Sequence, residues 1–410
     1  MKILFDFLSV YQKNGSAEYV RRVFFALLDR INSESMYDVS ISCLYDSQHQ
    51  PAYPKMRPDT FSHPAVRFVD IQDGISAINE HNYDLFFFGC AQNAGWHPEL
   101  AELNCKTIMV FHDCVWEEFY NNDIGLYLAL NVNDMFRYRA TQPRGKKIYL
   151  DIKGPTIRFC RWLLSARRYG VLENGYNMLQ PALALFNRRK DNSIVTVSNY
   201  SKSSIMYNFN VPAERINVLY SPERIYQEDS ANLELANEKL KQVINSGCKY
   251  FLIVSANRDS KNAKKALKAF KSFAEIRSDC FVVTIGYGKE LFKNHIDLPF
   301  LSDYDLREAY KHCYALLYPS LFEGFGYPPL EAMKYGKPVL ASSVCSVPEV
   351  LGDAPIYFNP FYESAIFNAL MVLNEGNYSV YSEKSMVRYQ YVGSQQEYDL
   401  SNLVDMILRE

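Results

Sequence analysis

Residues Ala315 to Val350 read ALLYPSLFEGFGYPPLEAMKYGKPVLASSVCSVPEV. Ala315, Leu316, Leu317 and Tyr318 form an apolar run that predicts a buried strand. A glycine-bearing loop follows, Glu323-Gly324-Phe325-Gly326. Pro328 and Pro329 stand where a helix begins, and Leu330 to Tyr335 has helical composition. Gly336 closes that helix, and Pro338-Val339-Leu340-Ala341 starts the next strand. Strand, glycine loop, helix N-terminus and strand present backbone N–H groups and a positive helix end to an anion. Glu323 and Glu331 flank the loop with seven residues between them. An anion site with such carboxylates beside it, ready to accept from hydroxyls, fits a nucleoside diphosphate linked to a sugar.

The second half of the chain carries the cations such a ligand needs. Tyr250 to Ser255 reads as a strand and Lys264 to Ile276 as a helix, with Ala266, Leu267, Phe270, Phe273 and Ala274 at helical spacing. Arg258 and Lys261 lie between them, in SANRDSKNAKKALKAF. Basic groups at a helix start oppose the macrodipole, so this position calls for an anionic partner. Fixed cations there stabilise a departing diphosphate, whereas Lys264 and Lys265 are expected in solvent. Phe281 to Ile285 reads as a strand ending in Gly286-Tyr287-Gly288, and Asp303 to Cys313 as a helix.

The first half has the same grammar. Lys2 to Val10 reads as a strand, Gln12 to Ser16 as a loop containing Gly15, and Ala17 to Ile31 as a helix. Short strands follow at Val39 to Leu44, Val66 to Ile71, Leu85 to Phe88 and Thr107 to Phe111. His112 and Asp113 sit just past the last of these, at a sheet edge where ligands gather. Ile194 to Ser198 is another strand, Tyr200 to Tyr207 a helix capped by Ser198 or Asn199, and Ile216 to Tyr220 a final strand. The polar segment from Glu223 to Cys248 connects the halves. Alternating strands and helices, twice over, predict two doubly wound parallel sheets.

Composition narrows the classes. The 410 residues carry a formal net charge of -2, which indicates neither a nucleic-acid binder nor an acidic solvating chain. The nine cysteines form no CxxC pair and read as buried, reduced thiols of a cytoplasmic protein. No run approaches the roughly 18 apolar residues of a membrane span. Asp6 interrupts the apolar N-terminus, which reads as a strand rather than a signal peptide. The segment from Arg137 to Arg168 holds ten basic residues and one acid, Asp151. On a helix, Arg158, Arg161 and Arg168 would share one face. The segment reads either as a solvated helix or as a patch for an anionic membrane surface.

The spacing of Glu323 and Glu331 within PSLFEGFGYPPLEAMKYGKPV resembles the signature of the retaining glycosyltransferases of family 4 (group 1). The resemblance runs from the Gly15 loop through His112 and VTVSNYS to the signature. It implies a GT-B fold: two Rossmann-like domains, residues 1–222 and 223–393, facing across a cleft, with a helix at about 394–410 returning to the first. It implies that Glu331 accepts from ribose hydroxyls and Glu323 from the donor sugar. Arg258 and Lys261 would hold the diphosphate and His112 would lie at the sugar. Gly15, Gly286, Tyr287, Gly324, Phe325 and Gly326 would border the donor, with Phe325 packing. KNGSAEY departs from the pattern in having one glycine where the family frequently has two. No metal or other cofactor is expected. The implied reaction moves a hexose-type sugar from a nucleotide-diphosphate donor to a glycan or lipid-linked acceptor, with retention of configuration. The implied setting is bacterial surface polysaccharide synthesis (O-antigen or capsule) at the inner face of the membrane. A nucleotide-sugar epimerase and a non-catalytic donor-binding scaffold are the alternatives.

Overall fold

The computed structural model describes residues 1–10, 15–49, 61–115, 117–118, 179–224 and 235–409. The basic segment from Arg137 to Arg168 lies outside them. The first half contains β1 (Lys2–Asp6), α1 (Gly15–Ser33), β2 (Ser40–Tyr45), β3 (Val66–Asp70), β4 (Leu85–Phe88), β5 (Lys106–Phe111), β6 (Ser193–Thr196), α2 (Asn199–Phe209) and β7 (Ile216–Val218). Its strands pair in the order β3-β2-β1-β4-β5-β6-β7, all parallel. The second half contains β8 (Lys249–Ile253), α3 (Ala263–Ile276), β9 (Cys280–Ile285), β10 (His295–Leu298), α4 (Asp303–His312), β11 (Ala315–Tyr318), α5 (Tyr327–Met333), β12 (Val339–Ser342) and β13 (Ile356–Phe358). These strands pair β10-β9-β8-β11-β12-β13, again all parallel.

Parallel strands covered on both faces need apolar side chains in both directions. Leu85, Phe86, Phe87 and Phe88 are all fully buried, as are Phe251 and Leu252. In the first half Phe5 stacks on Phe87 at 5.0 Å and meets Phe24 of α1 at 5.3 Å. In the second, Phe251 meets Phe270 of α3 edge-on at 5.6 Å.

Each chain reversal creates a crevice at the carboxyl ends of the strands. In the first sheet it falls between β1 and β4. In the second it falls between β8 and β11. The loops leaving β8 and β11 carry Arg258, Lys261 and Glu323.

Two boundaries differ from the sequence expectation, each for a physical reason. β1 ends at Asp6, not Val10. The buried Asp6 carboxylate accepts from Ser9 N at 3.2 Å, Ser9 Oγ at 2.6 Å and Cys90 N at 3.2 Å. Those bonds curl the apolar residues that follow out of the sheet. The last helix, α6 (Tyr378–Leu408), begins well before Ser394. Its packing face includes Ser385, Gln396 and Asp399 beside Val392 and Leu403, all buried. Small and polar residues break the apolar periodicity while still filling the contact. Asp399 accepts from Tyr220 N at 2.8 Å, and Gln396 donates to Ser221 O at 2.5 Å. Arg30 of α1 meets Asp405 at 2.5 Å. α6 therefore spans from the second sheet to α1, and one apolar cluster runs through Phe24, Leu27, Leu403, Val404 and Leu351.

Candidate active site

The β8 and β11 loops are stitched together by polar bonds. Asn262 adopts a left-handed conformation, φ 53°, and its Nδ2 donates to Pro319 O at 3.2 Å and Pro360 O at 3.0 Å. Leu321 N donates to Ser260 O at 2.7 Å. These bonds bring Lys261 against Glu323, and the two form an ion pair with each side chain 11% exposed. The Lys261 ammonium also lies 5.2 Å from the centre of the Tyr318 ring. An ammonium has three donors, so this pairing leaves Lys261 capacity for a further anion. Arg258 is exposed one turn earlier. Lys264 is exposed as expected, while Lys265 donates to Phe361 O at 2.9 Å.

The signature loop is clamped from both sides. Ser346 Oγ donates to Glu323 O at 2.8 Å, and Gly326 has φ 106°. A Cβ on Gly324 would lie 2.3 Å from the His112 carbonyl oxygen, so only glycine lets this loop reach the first half. Ser198 Oγ donates to Gly324 O at 2.8 Å across the same junction. Phe325 is buried and meets Tyr220 edge-on, the packing role expected of it.

His112 faces this junction. Its Nε2 lies 3.0 Å from Gly89 O, so that nitrogen carries the proton. Burial pulls the imidazole down to about 4, which leaves it neutral at pH 7. Burial, then the nearby Glu323 carboxylate, pushes Asp113 up to about 6 against the pull of Lys261. Gln92 Nε2 donates to Asp113 O at 3.2 Å, placing the loop after β4 at the same spot.

Glu331 stands in α5, 11% exposed, with Oε1 at 3.5 Å from Arg224. The anion-ready helix start expected there is poorer in donors than the pattern implied. α5 has seven residues, and Pro328 and Pro329 in its first turn carry no N–H. Charge for an anion therefore comes mainly from Lys261 and Arg258. Gly15 opens α1 instead of lying in a loop, and a Cβ there would lie 3.3 Å from the Tyr327 ring. The Gly286-Tyr287-Gly288 turn is farther along the second sheet. Asp297 accepts from Tyr287 N at 3.0 Å and Gly288 N at 2.7 Å, so those amides are already engaged.

Sequence reasoning missed several participants. Glu349 crosses the junction and accepts from Asn199 N at 2.8 Å, Asn199 Nδ2 at 2.9 Å and Tyr200 N at 3.0 Å. It thereby caps α2 of the first half from the second. Ser201, Gln92 and Arg224 carried no local signal. Asp303-Tyr304-Asp305 has the spacing of a metal motif, but Asp305 accepts from Ala236 N and Asn237 N and Asp303 pairs with Arg224. Among the described residues no group of three acidic, His or Cys side chains is placed to hold a metal. Among them also, no helix is long and apolar enough to cross a membrane.

Two doubly wound sheets, with both chain reversals meeting at one junction, define the GT-B class of fold. Residues 236–360 match the family model described as Glycosyl transferases group 1. The O-antigen chain mannosyltransferase RfbU of Salmonella typhimurium is 32% identical over 192 residues, covering 43% of this chain and 50% of RfbU. The O-antigen chain mannosyltransferase B of Escherichia coli is 32% identical, covering 41% of this chain and 47% of its own. The chain thus spans about half the length of these curated relatives. The fold extends over the whole chain. Anabaena Alr3699/HepE, solved in complex with UDP and glucose, superposes with a TM-score of 0.61 at 14% identity, covering 99% of this chain and 100% of HepE. WaaG, a glycosyltransferase involved in lipopolysaccharide biosynthesis, superposes with a TM-score of 0.57 at 14% identity, covering 99% of each chain.

Proposed function

We propose that this chain is a retaining glycosyltransferase that moves a hexose from a nucleotide-diphosphate donor to a hydroxyl of a glycan or lipid-linked acceptor. The observation that carries the reading is the Lys261–Glu323 pair, nine-tenths buried where the β8 and β11 loops meet the first half. A cation and a hydroxyl acceptor held side by side match the two ends of a sugar diphosphate. In this reading Lys261 and Arg258 take the charge that develops on the departing diphosphate, which is the role a metal would otherwise fill. Glu323 accepts from the donor sugar's hydroxyls and Glu331 from the ribose. Gly15, Gly324, Phe325 and Gly326 border the ligand. Gly286 and Tyr287 border it at the base, with Asp297 fixing the Tyr287 and Gly288 amides.

His112 is neutral and its Nε2 proton is committed to Gly89, so it suits a hydrogen-bonding contact to the sugar better than proton abstraction. The acceptor hydroxyl then attacks on the face from which the diphosphate leaves, and the diphosphate oxygen takes its proton. Closed packing of Gly324 on His112 excludes water and favours transfer over hydrolysis. Both curated relatives are mannosyltransferases, so mannose is the first donor sugar to try. Their O-antigen role supports surface polysaccharide synthesis as the setting. The basic segment from Arg137 to Arg168 would bring the enzyme to an anionic membrane surface bearing the acceptor.

The test is thermal unfolding against nucleoside diphosphates and nucleotide sugars, with EDTA and with Mg²⁺. A ligand at about 100 times its dissociation constant adds about 2.7 kcal/mol. A shift by one nucleotide, unchanged by EDTA and lost in Arg258→Ala, supports the reading. A shift that requires Mg²⁺ overturns the metal-free part. No shift by any nucleotide overturns the whole.

A further inference from the structure

Arg224 lies in the connection between the two sheets, past β7 and before β8, and meets carboxylates from three elements. Its Nη2 is 2.8 Å from Asp303 Oδ1 of α4, its Nη1 is 3.5 Å from Glu331 Oε1 of α5, and its Nε is 3.8 Å from Glu18 Oε1 of α1. Glu18 is buried and paired with the buried Arg21. It belongs to the first half, whereas Asp303 and Glu331 belong to the second. The Glu331 carboxylate also lines an open pocket with Arg224, Tyr327 and Tyr389. A planar guanidinium can serve three directions at once, which an ammonium on a flexible stem does not.

We infer that Arg224 is a positioning residue for the donor nucleotide. It turns the Glu331 carboxylate so that the second oxygen accepts from the ribose hydroxyls, and it does so from an anchor shared with α1. This inference rests on reading Glu331 as the ribose acceptor. The short bond to Asp303 fixes the guanidinium. The longer reach to Glu331 orients one oxygen of a carboxylate that lines the open pocket. The residue sits just where the two halves join, so any change in their relation moves Arg224 and with it Glu331. A hinge residue without this role would have no reason to be selective for ribose hydroxyls.

That selectivity is the test. Isothermal titration calorimetry compares the full chain with its Arg224→Gln and Arg224→Lys variants. The probes are UDP and GDP, whichever binds the wild type more tightly, and the 2′,3′-dideoxy counterpart of that nucleotide. Both variants are expected to bind the ribonucleotide about tenfold more weakly, the scale of one charged hydrogen bond. They should bind the dideoxy nucleotide as the wild type does, because it offers Glu331 nothing to hold. An equal loss on both nucleotides overturns the inference, since Arg224 would then act on the diphosphate or on the fold. Wild type that binds the two nucleotides equally overturns the ribose role of Glu331 and the inference with it, and leaves the donor reading intact. Wild type that binds neither UDP nor GDP overturns both readings. Arg224→Lys keeps the positive charge and guards against a variant that merely fails to fold, and the unfolding midpoint of each variant is recorded alongside.

Discussion

The two halves meet at one junction but equip it differently. The second half contributes side-chain charge: Arg258, Lys261, Glu323 and Glu331, drawn from two loops and one short helix. The first half contributes shape and groups that burial drives toward neutrality. His112 is neutral, Asp113 is pushed up to about 6, and contact with the signature loop runs through the His112 carbonyl and the Ser198 hydroxyl. The difference has an electrostatic reason. In the proposed reading the ligand is a diphosphate, which needs fixed countercharge on one wall of its site. The opposing wall carries one neutral group, His112, and one carboxyl, Asp113, whose pKa near 6 still leaves it mostly ionised at pH 7; its packing excludes water, which strengthens every interaction inside.

The sharpest way to break this division is to move the charge. Lys261→Ala is expected to lower the transfer rate by about 100- to 1,000-fold, the cost of losing a preorganised stabilising group, and to leave Glu323 buried without its partner. Initial rates with a nucleotide-sugar donor measure it. A drop of less than about tenfold would shift the role to Arg258. Gly324→Ala attacks the shape instead. Its Cβ must push the His112 carbonyl away, at a cost of about 1–3 kcal/mol. Urea unfolding should show a lower midpoint, and the activity loss should exceed the stability loss if the packed junction matters for transfer.

A pH series sharpens the neutral side. The folded pKa of His112, about 4, is below the unfolded value near 6.5. The unfolded state therefore takes up the proton first, and stability falls as pH drops from about 6.5 toward 4, by at most about 1.4 kcal/mol per unit. Asp113 has the opposite sign. Its folded value near 6 exceeds the unfolded 3.8, so its contribution rises as pH falls through the same window. His112→Asn should thus lose less stability on acidification than the wild type. Parallel midpoint curves for the two proteins would show that His112 is not held neutral. The smallest expected effect is at Glu349. Glu349→Ala removes the cap that the second half places on α2, worth about 1 kcal/mol, and should lower the unfolding midpoint by a few degrees.

Much of this was legible in the sequence because it is local. Apolar runs such as Leu85 to Phe88 marked strands, and Ser198 or Asn199 was recognisable as a helix cap, which the structure assigns to Ser198. Glu323, Gly324, Gly326 and the two prolines marked the β11 loop and the helix after it. The positions of Arg258 and Lys261 before a helix called for an anion because they opposed the macrodipole. Where the pattern was not apolar it misled: the polar packing face of α6 hid its first four turns, and a buried Asp6 ended a strand that hydropathy continued. Glu349 carries no local signal of its capping role, because its partners, Asn199 and Tyr200, lie far away in the chain.

By itself the sequence determined two α/β halves and the residue types at the second sheet's switch point. Periodicity, glycine and proline act through neighbouring residues. Only the tertiary structure decided which of those residues meet. Lys261 pairs with Glu323, Gly324 packs on His112, Glu349 caps α2, and Arg224 gathers three carboxylates. Each of these joins groups separated along the chain, and such contacts depend on how the two sheets and α6 pack, which no local spacing records.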